Sequence, residues 1–223
     1  ELSRIILGAG ITMLPESVIN ELFAWKHELR HIEWKRSEKL TISDKNKQKR
    51  NINDRYVATI AKAVMAMANH RGGGYIVIGV EDTLGPDQSP GVPAEDLEQW
   101  QYDQVADILR NWMQPPPQFE IHSVFWNNKT FVVLAIQEFE DQPLICLRDF
   151  GDLHKGDCYV RPRGGKIASE RVKTYEDMRD LLDRAVERQF HKYLRVLGNV
   201  GLIQGSMQKT MGVDHYEAER GTW

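Results

Sequence analysis

Ala66-Met67-Ala68-Asn69-His70-Arg71-Gly72-Gly73-Gly74-Tyr75-Ile76-Val77-Ile78-Gly79-Val80-Glu81-Asp82 is the stretch whose reading decides the fold. Upstream of it Val57, Ile60, Ala61, Val64 and Ala68 recur at helical spacing behind two candidate caps, Asn53 and Asp54. Three glycines stop that helix, and Tyr75 to Val80 then presents apolar side chains at both odd and even positions. A strand apolar on both faces belongs at the centre of a sheet covered on both sides. It runs out at Glu81-Asp82. Phosphate-binding glycine loops follow a strand and open a helix; here the order is reversed, so the glycines read as a helix stop and a tight strand entry.

Working outward, Pro15 suits a first helical turn, and Val18, Ile19, Leu22, Trp25 and Leu29 carry a helix to about His31. Ile32-Glu33-Trp34-Lys35 alternates as a strand, with Glu33 and Lys35 sharing one face. Downstream, Leu97, Trp100, Val105, Ile108, Leu109 and Trp112 mark a helix that Pro115-Pro116-Pro117 ends. Phe119–Trp126 and Phe131–Ile136 form a hairpin about Asn127-Asn128. Tyr159-Val160-Arg161 is a short strand near Arg163-Gly164-Gly165. Thr174 caps a long helix with Met178, Leu181, Leu182, Ala185, Val186, Tyr193, Leu194 and Leu197 on its apolar positions, ending at Gly198. The fold class is α/β in the α+β sense, a mixed central sheet flanked by amphipathic helices, with a long C-terminal helix. The expected divisions are a 1–14 segment, a 15–173 domain, a 174–198 helix and an unassigned 199–223 tail.

The 223 residues are 41% hydrophobic and 27% charged, enough for a packed core. The longest apolar runs are strand-sized, far short of the ~20 residues of a bilayer span, which excludes a helical membrane protein. Two cysteines, Cys146 and Cys158, build no disulfide framework, which points to a reducing, cytoplasmic setting. The chain opens on Glu1, which reads as part of something longer with room for a further domain outside it. A formal net charge of -3 means that any nucleic-acid contact must come from local clusters. The clearest is Lys45, Lys47, Lys49 and Arg50, either a phosphate-tracking loop or plain solvated surface.

Three carboxylates, Glu28, Glu33 and Asp82, carry the chemical interest. A change from helix to strand between Glu28 and Glu33 lets both face one point, and Asp82 stands where a central strand ends, the place where open sheets bind ligands. Such oxygens are hard ligands for Mg²⁺ or Mn²⁺, which would polarise a phosphate and activate water, with Lys35 offsetting charge beside them. By spacing alone the same residues also read as surface charges and a turn aspartate. Cys146, His154 and Cys158 are three ligand types near one loop, one short of a structural zinc set, and read better as packing residues.

Glu28, Ile32-Glu33-Trp34-Lys35, Ala66 to Asn69, Gly73 to Asp82, Pro115-Pro116 and Tyr159-Val160-Arg161, in this order, resemble the Alba-like nucleic-acid-binding domain of the Schlafen family over roughly Pro15 to Leu182. The resemblance implies one of two functions. Animal Schlafen proteins of this type are endoribonucleases acting on transfer and ribosomal RNA through three acids, which would fall on Glu28, Glu33 and Asp82. Bacterial relatives are described as DNA-binding or transcription-regulating proteins joined to helix-turn-helix or ATPase-like segments. One expectation is therefore a metal-dependent endoribonuclease of structured RNA such as transfer RNA, using Mg²⁺ or Mn²⁺, with Lys35, Lys47, Lys49, Arg50, Arg161 and Arg163 on phosphates. The alternative is a non-catalytic DNA- or RNA-binding regulator, or an interaction module of a phage-defence or ATPase assembly. Leu29 and Trp34 depart from the usual serine and phenylalanine, and the family's zinc arrangement has no counterpart. A second Schlafen-type lobe is absent, so embracing RNA would take a homodimer.

Overall fold

Parity along one strand assigns the two sides of the core. In the computed structural model, which describes residues 14–25, 27–43, 50–163 and 167–199, Ile76 and Ile78 face one apolar cluster while Tyr75 and Val77 face another. The cations Lys45, Lys47 and Lys49 lie outside the described residues, as do Gly164, Gly165 and the tail beyond Asn199; Arg50 is described only as the first residue of a strand.

The elements are α1 (Glu16–Ala24), β1 (Ile32–Lys35), β2 (Thr41–Ser43), β3 (Arg50–Ile52), α2 (Asp54–Ala68), β4 (Gly74–Ile78) and α3 (Gly85–Gln88). A 3-10 helix (Ala94–Trp100) precedes α4 (Tyr102–Arg110), β5 (Met113–Gln114), β6 (Phe119–Trp126), β7 (Lys129–Ile136), β8 (Ile145–Cys146), β9 (Tyr159–Val160), β10 (Glu170–Arg171) and α5 (Tyr175–Asn199). The central sheet has the order β1-β4-β7-β6, with β1 parallel to β4 and the other pairs antiparallel. It is a mixed sheet in an α+β fold. Asn53 caps α2 by accepting from the Tyr56 amide, and Val57, Ile60, Ala61 and Val64 press that helix onto Ile76, Ile78, Val132 and Leu134. On the other face Leu22 and Phe23 of α1 pack with Ile32, Trp34, Val77, Phe131 and Val133. Among the described residues, no helix is long and apolar enough to cross a membrane.

The glycine run is the structural turn its order implies. Gly72 and Gly73 have φ of 80° and 75°, and a Cβ on Gly73 would lie 2.1 Å from the Ile136 carbonyl oxygen. Asn127 and Asn128, at φ 48° and 62°, make the two-residue hairpin between β6 and β7.

Two expectations need correction. The first helix stops at Ala24 rather than near His31: Trp25 is extended, and Leu29 accepts from the Ile32 amide in a turn that lays β1 alongside β4. The third helix is two pieces, because Gln101 adopts an extended conformation between the 3-10 turn and α4. Thr174 does cap α5, accepting from the Asp177 amide at 3.1 Å, but the helix turns most of its apolar positions to solvent. Leu181 is buried at 1% exposure, whereas Met178, Leu182, Val186, Tyr193 and Leu197 are exposed.

Candidate nucleic-acid interface

Arg161 follows β9 directly, and its guanidinium is spent inside the protein. Nε donates to the Arg30 carbonyl (3.0 Å), Nη1 to Glu33 Oε2 (2.8 Å), and Nη2 to the Leu29 (2.7 Å) and Ile32 (3.0 Å) carbonyls. Its side chain is 1% exposed. Glu33 is equally enclosed: Lys35 Nζ lies 2.6 Å from Oε1, and Ser169 Oγ donates to Oε2 at 2.5 Å. Burial raises the Glu33 pKa, yet Lys35 and Arg161 together pull it below the usual carboxylate value. Glu28 accepts from the Trp34 amide at 2.7 Å and stands 3.7 Å from Arg161 Nη2. For Glu28 burial wins, and its pKa is raised.

The fold thus brings Glu28, Glu33, Lys35 and Arg161 together and leaves Asp82 apart. Glu33 pairs in register with Ile76, while Asp82 is exposed, four residues beyond the end of β4. Among the described residues, no three His, Cys, Asp or Glu side chains are grouped so as to hold a metal ion. Both Glu33 oxygens already face cations, and one Glu28 oxygen faces an amide. This donor set does not fit Mg²⁺ or Mn²⁺, because an ion would have to displace Lys35 or Arg161 from a buried carboxylate. The same holds for the cysteine loop, where buried Cys146 donates to the Arg148 carbonyl and His154 faces Asp149.

Beside the Arg161 knot opens a cleft of about 310 Å³ between the end of α2, the segment after β9 and the first turns of α5. Arg30, His70, Arg71 and Arg163 line it, with Arg161 and Arg184 in its walls. Arg184 is 4% exposed and clamps three elements: Nη2 donates to the Asn69 carbonyl (2.6 Å), Nη1 meets Glu138 (2.7 Å), and Nε meets Asp180 (2.9 Å). Asp180 also bonds Arg163 and lies 3.8 Å from Arg71. Glu138 shares Arg184 and also faces Arg188, so four guanidiniums meet two carboxylates here. Asp177 is the other lining acid, and burial lowers the His70 pKa, so that imidazole is neutral at pH 7. The cleft keeps a positive excess.

Of the expected phosphate contacts, Arg163 is exposed at this cleft, Arg161 forms its wall, and Lys35 is held by Glu33 and the Trp34 carbonyl. Sequence reasoning passed over Arg30, Arg71 and Arg184. Arg71 had a usable signal: an arginine between a buried helix end and a buried strand entry has only the rim of the sheet to occupy.

The family model described as Schlafen, AlbA_2 matches residues 28–169. Comparison with curated proteins finds no match. Among solved structures, the DIP2311 protein of Corynebacterium diphtheriae is 16% identical with a TM-score of 0.44, over 67% of this chain and 23% of that one, so this chain spans under a quarter of its length. The solution structure of the N-terminal domain of an ATP-dependent DNA helicase RecG-related protein from Nitrosomonas europaea is 19% identical with a TM-score of 0.39, over 71% of this chain and 94% of that one. The family match covers well over half of the sequence, includes the Arg161 knot with both its glutamates, and establishes that the chain belongs to the Schlafen AlbA_2 family.

Proposed function

We propose that this protein is a nucleic-acid-binding module that grips the phosphate backbone in the arginine cleft, without cutting it. Membership of a nucleic-acid-related family supports the ligand class. The observation that carries the reading is Asp180 surrounded by Arg71, Arg163 and Arg184, an uncompensated positive cluster that an anionic oxygen completes. Arg161 and Arg184 are fixed by buried bonds, while Arg71 and Arg163 are exposed and free to turn from Asp180 to a phosphate. Binding of this kind reads charge and not bases, so it falls steeply with salt.

The acids have a different role. Glu28 and Glu33 hold Arg161 and Lys35 in place, and Arg161 in turn holds the turn before β1. The test compares wild type with Arg71→Glu/Arg163→Glu on transfer RNA and on duplex DNA, with Mg²⁺, with Mn²⁺ and with chelator. The expected result is salt-dependent binding without cleavage in every condition, weakened at least about tenfold in the variant, since two contacts become repulsions. Undiminished binding by the variant sinks the cleft. Divalent-dependent cutting that Glu33→Gln abolishes, at matched melting temperature, would replace this reading with the endoribonuclease one.

A further inference from the structure

α5 turns an apolar face away from the body of the protein. Leu181 and Arg184 pack inward, and Arg188 reaches Glu138 on that side. On the opposite side Tyr175, Met178, Leu182, Val186, Phe190, Tyr193 and Leu197 are exposed, with Val196 beside them; Tyr175 is 72% and Val186 68% exposed. Their spacings are three or four residues throughout, so they average close to the helix period and form a straight stripe with little drift. Each contributes on the order of 100 Å², so the stripe exposes roughly 800 Å², above the largest apolar patch of a typical monomer and equal to one side of a standard interface.

Val186 lies midway between Tyr175 and Leu197, the ends of the stripe. A helix with a central small residue and bulky residues on both sides is complementary to itself reversed.

We propose that α5 is the dimerisation element, pairing antiparallel with α5 of a second copy of this chain about a two-fold axis at Val186. Leu182 then meets Phe190 of the other copy, and Tyr175 meets Leu197, twice over. The two helix dipoles then oppose. A parallel pairing would align the dipoles instead. The stripe is opposite the face that docks on the domain, so the two bodies lie on outer sides of the helix pair and do not collide.

Light scattering on the full chain at micromolar concentration is expected to give a dimer. Leu182→Glu/Phe190→Glu is expected to give a monomer with unchanged helical circular dichroism, because both positions are exposed and neither packs on the core. Mild oxidation of Val186→Cys is expected to yield a covalent dimer, and Tyr175→Cys none, while Tyr175→Cys/Leu197→Cys crosslinks again. Wild type under the same oxidation controls for Cys146 and Cys158. A monomeric wild type, or a dimer that survives the double glutamate variant, overturns the proposal. A Tyr175→Cys homodimer overturns the antiparallel arrangement.

Discussion

Arg161 and Arg184 stand in the two walls of one cleft, both almost wholly buried, and they are balanced differently. Around Arg161 the charges cancel: Glu28 and Glu33 face Arg161 and Lys35. Around Arg184 they do not, since Asp180 and Glu138 face Arg184, Arg188, Arg71 and Arg163. A buried group whose charge is matched is a structural pin. An excess of charge at a half-open wall has a use only when a counter-charge arrives, so the capacity for an anion belongs to the α5 wall.

The comparison breaks most sharply at Arg161. Arg161→Met removes the donor to the Leu29, Arg30 and Ile32 carbonyls and leaves Glu33 buried with Lys35 and Ser169. Breaking a buried pair by removing one partner costs about 3–5 kcal/mol, and denaturant unfolding is expected to show a loss of this size across the whole domain. A loss below about 1 kcal/mol would show that Arg161 is not the pin.

Arg184→Met is expected to act locally. Glu138 keeps Arg188 and the Gly72 amide, and Asp180 keeps Arg163, so no acid is stranded. α5 loses its tie to the end of α2 and retains Leu181 as its buried apolar anchor. Hydrogen exchange should speed up across Tyr175–Asn199 while β4 and β7 keep their protection. Equal loss of protection in β4 would make the two arginines equivalent pins.

Much of this frame was legible in the sequence. The apolar run Tyr75 to Val80, the cap at Asn53, the Asn127-Asn128 turn and the Thr174 cap are local signals, and each specifies its element without help from afar. The partners of Glu33 were not legible, because Arg161 and Ser169 come from 128 and 136 residues away and only the fold joins them. Reading Glu28, Glu33 and Asp82 as converging assumed that acids near one sheet share an end of it; the register of β1 on β4 separates them. The direction of the α5 stripe was hidden for a related reason, since periodicity shows that a helix has an apolar face and not which way it points.

Acid separates the two walls in a milder way. Glu33 and Glu138 both have pKa values lowered below that of an unfolded carboxylate: for each, burial raises it, but Lys35 and Arg161 for Glu33, and the Gly72 amide with Arg184 and Arg188 for Glu138, outweigh it. Their contribution is complete above the unfolded value and is lost as pH falls through the lowered folded values. Melting temperature should therefore decline as pH falls from about 5, and Glu33→Gln should flatten the decline relative to its own value at pH 7. An unchanged slope in that variant would place the acid sensitivity at the α5 wall.

The smallest effect is expected at Glu28, and it separates a structural role from a catalytic one. Its pKa is raised because burial outweighs the Trp34 amide, Lys35 and Arg161, and Glu33 adds repulsion. A carboxyl with a raised folded pKa is disfavoured as the charged form, so it costs stability at neutral pH, and that cost is relieved as pH falls and the group protonates. Glu28→Gln keeps a carbonyl to accept from the Trp34 amide, gives up a 3.7 Å attraction to Arg161, and removes both the desolvation of a charge and its repulsion of Glu33. These terms oppose one another, and the net change in unfolding free energy is expected to stay within about 1 kcal/mol. RNA affinity should be unchanged or slightly higher, one negative charge having gone from beside the cleft. A Glu28→Gln protein that melts like wild type but has lost an RNA-cleaving activity would show that this carboxylate acts on substrate, and the balanced knot would then be a resting arrangement of an active site.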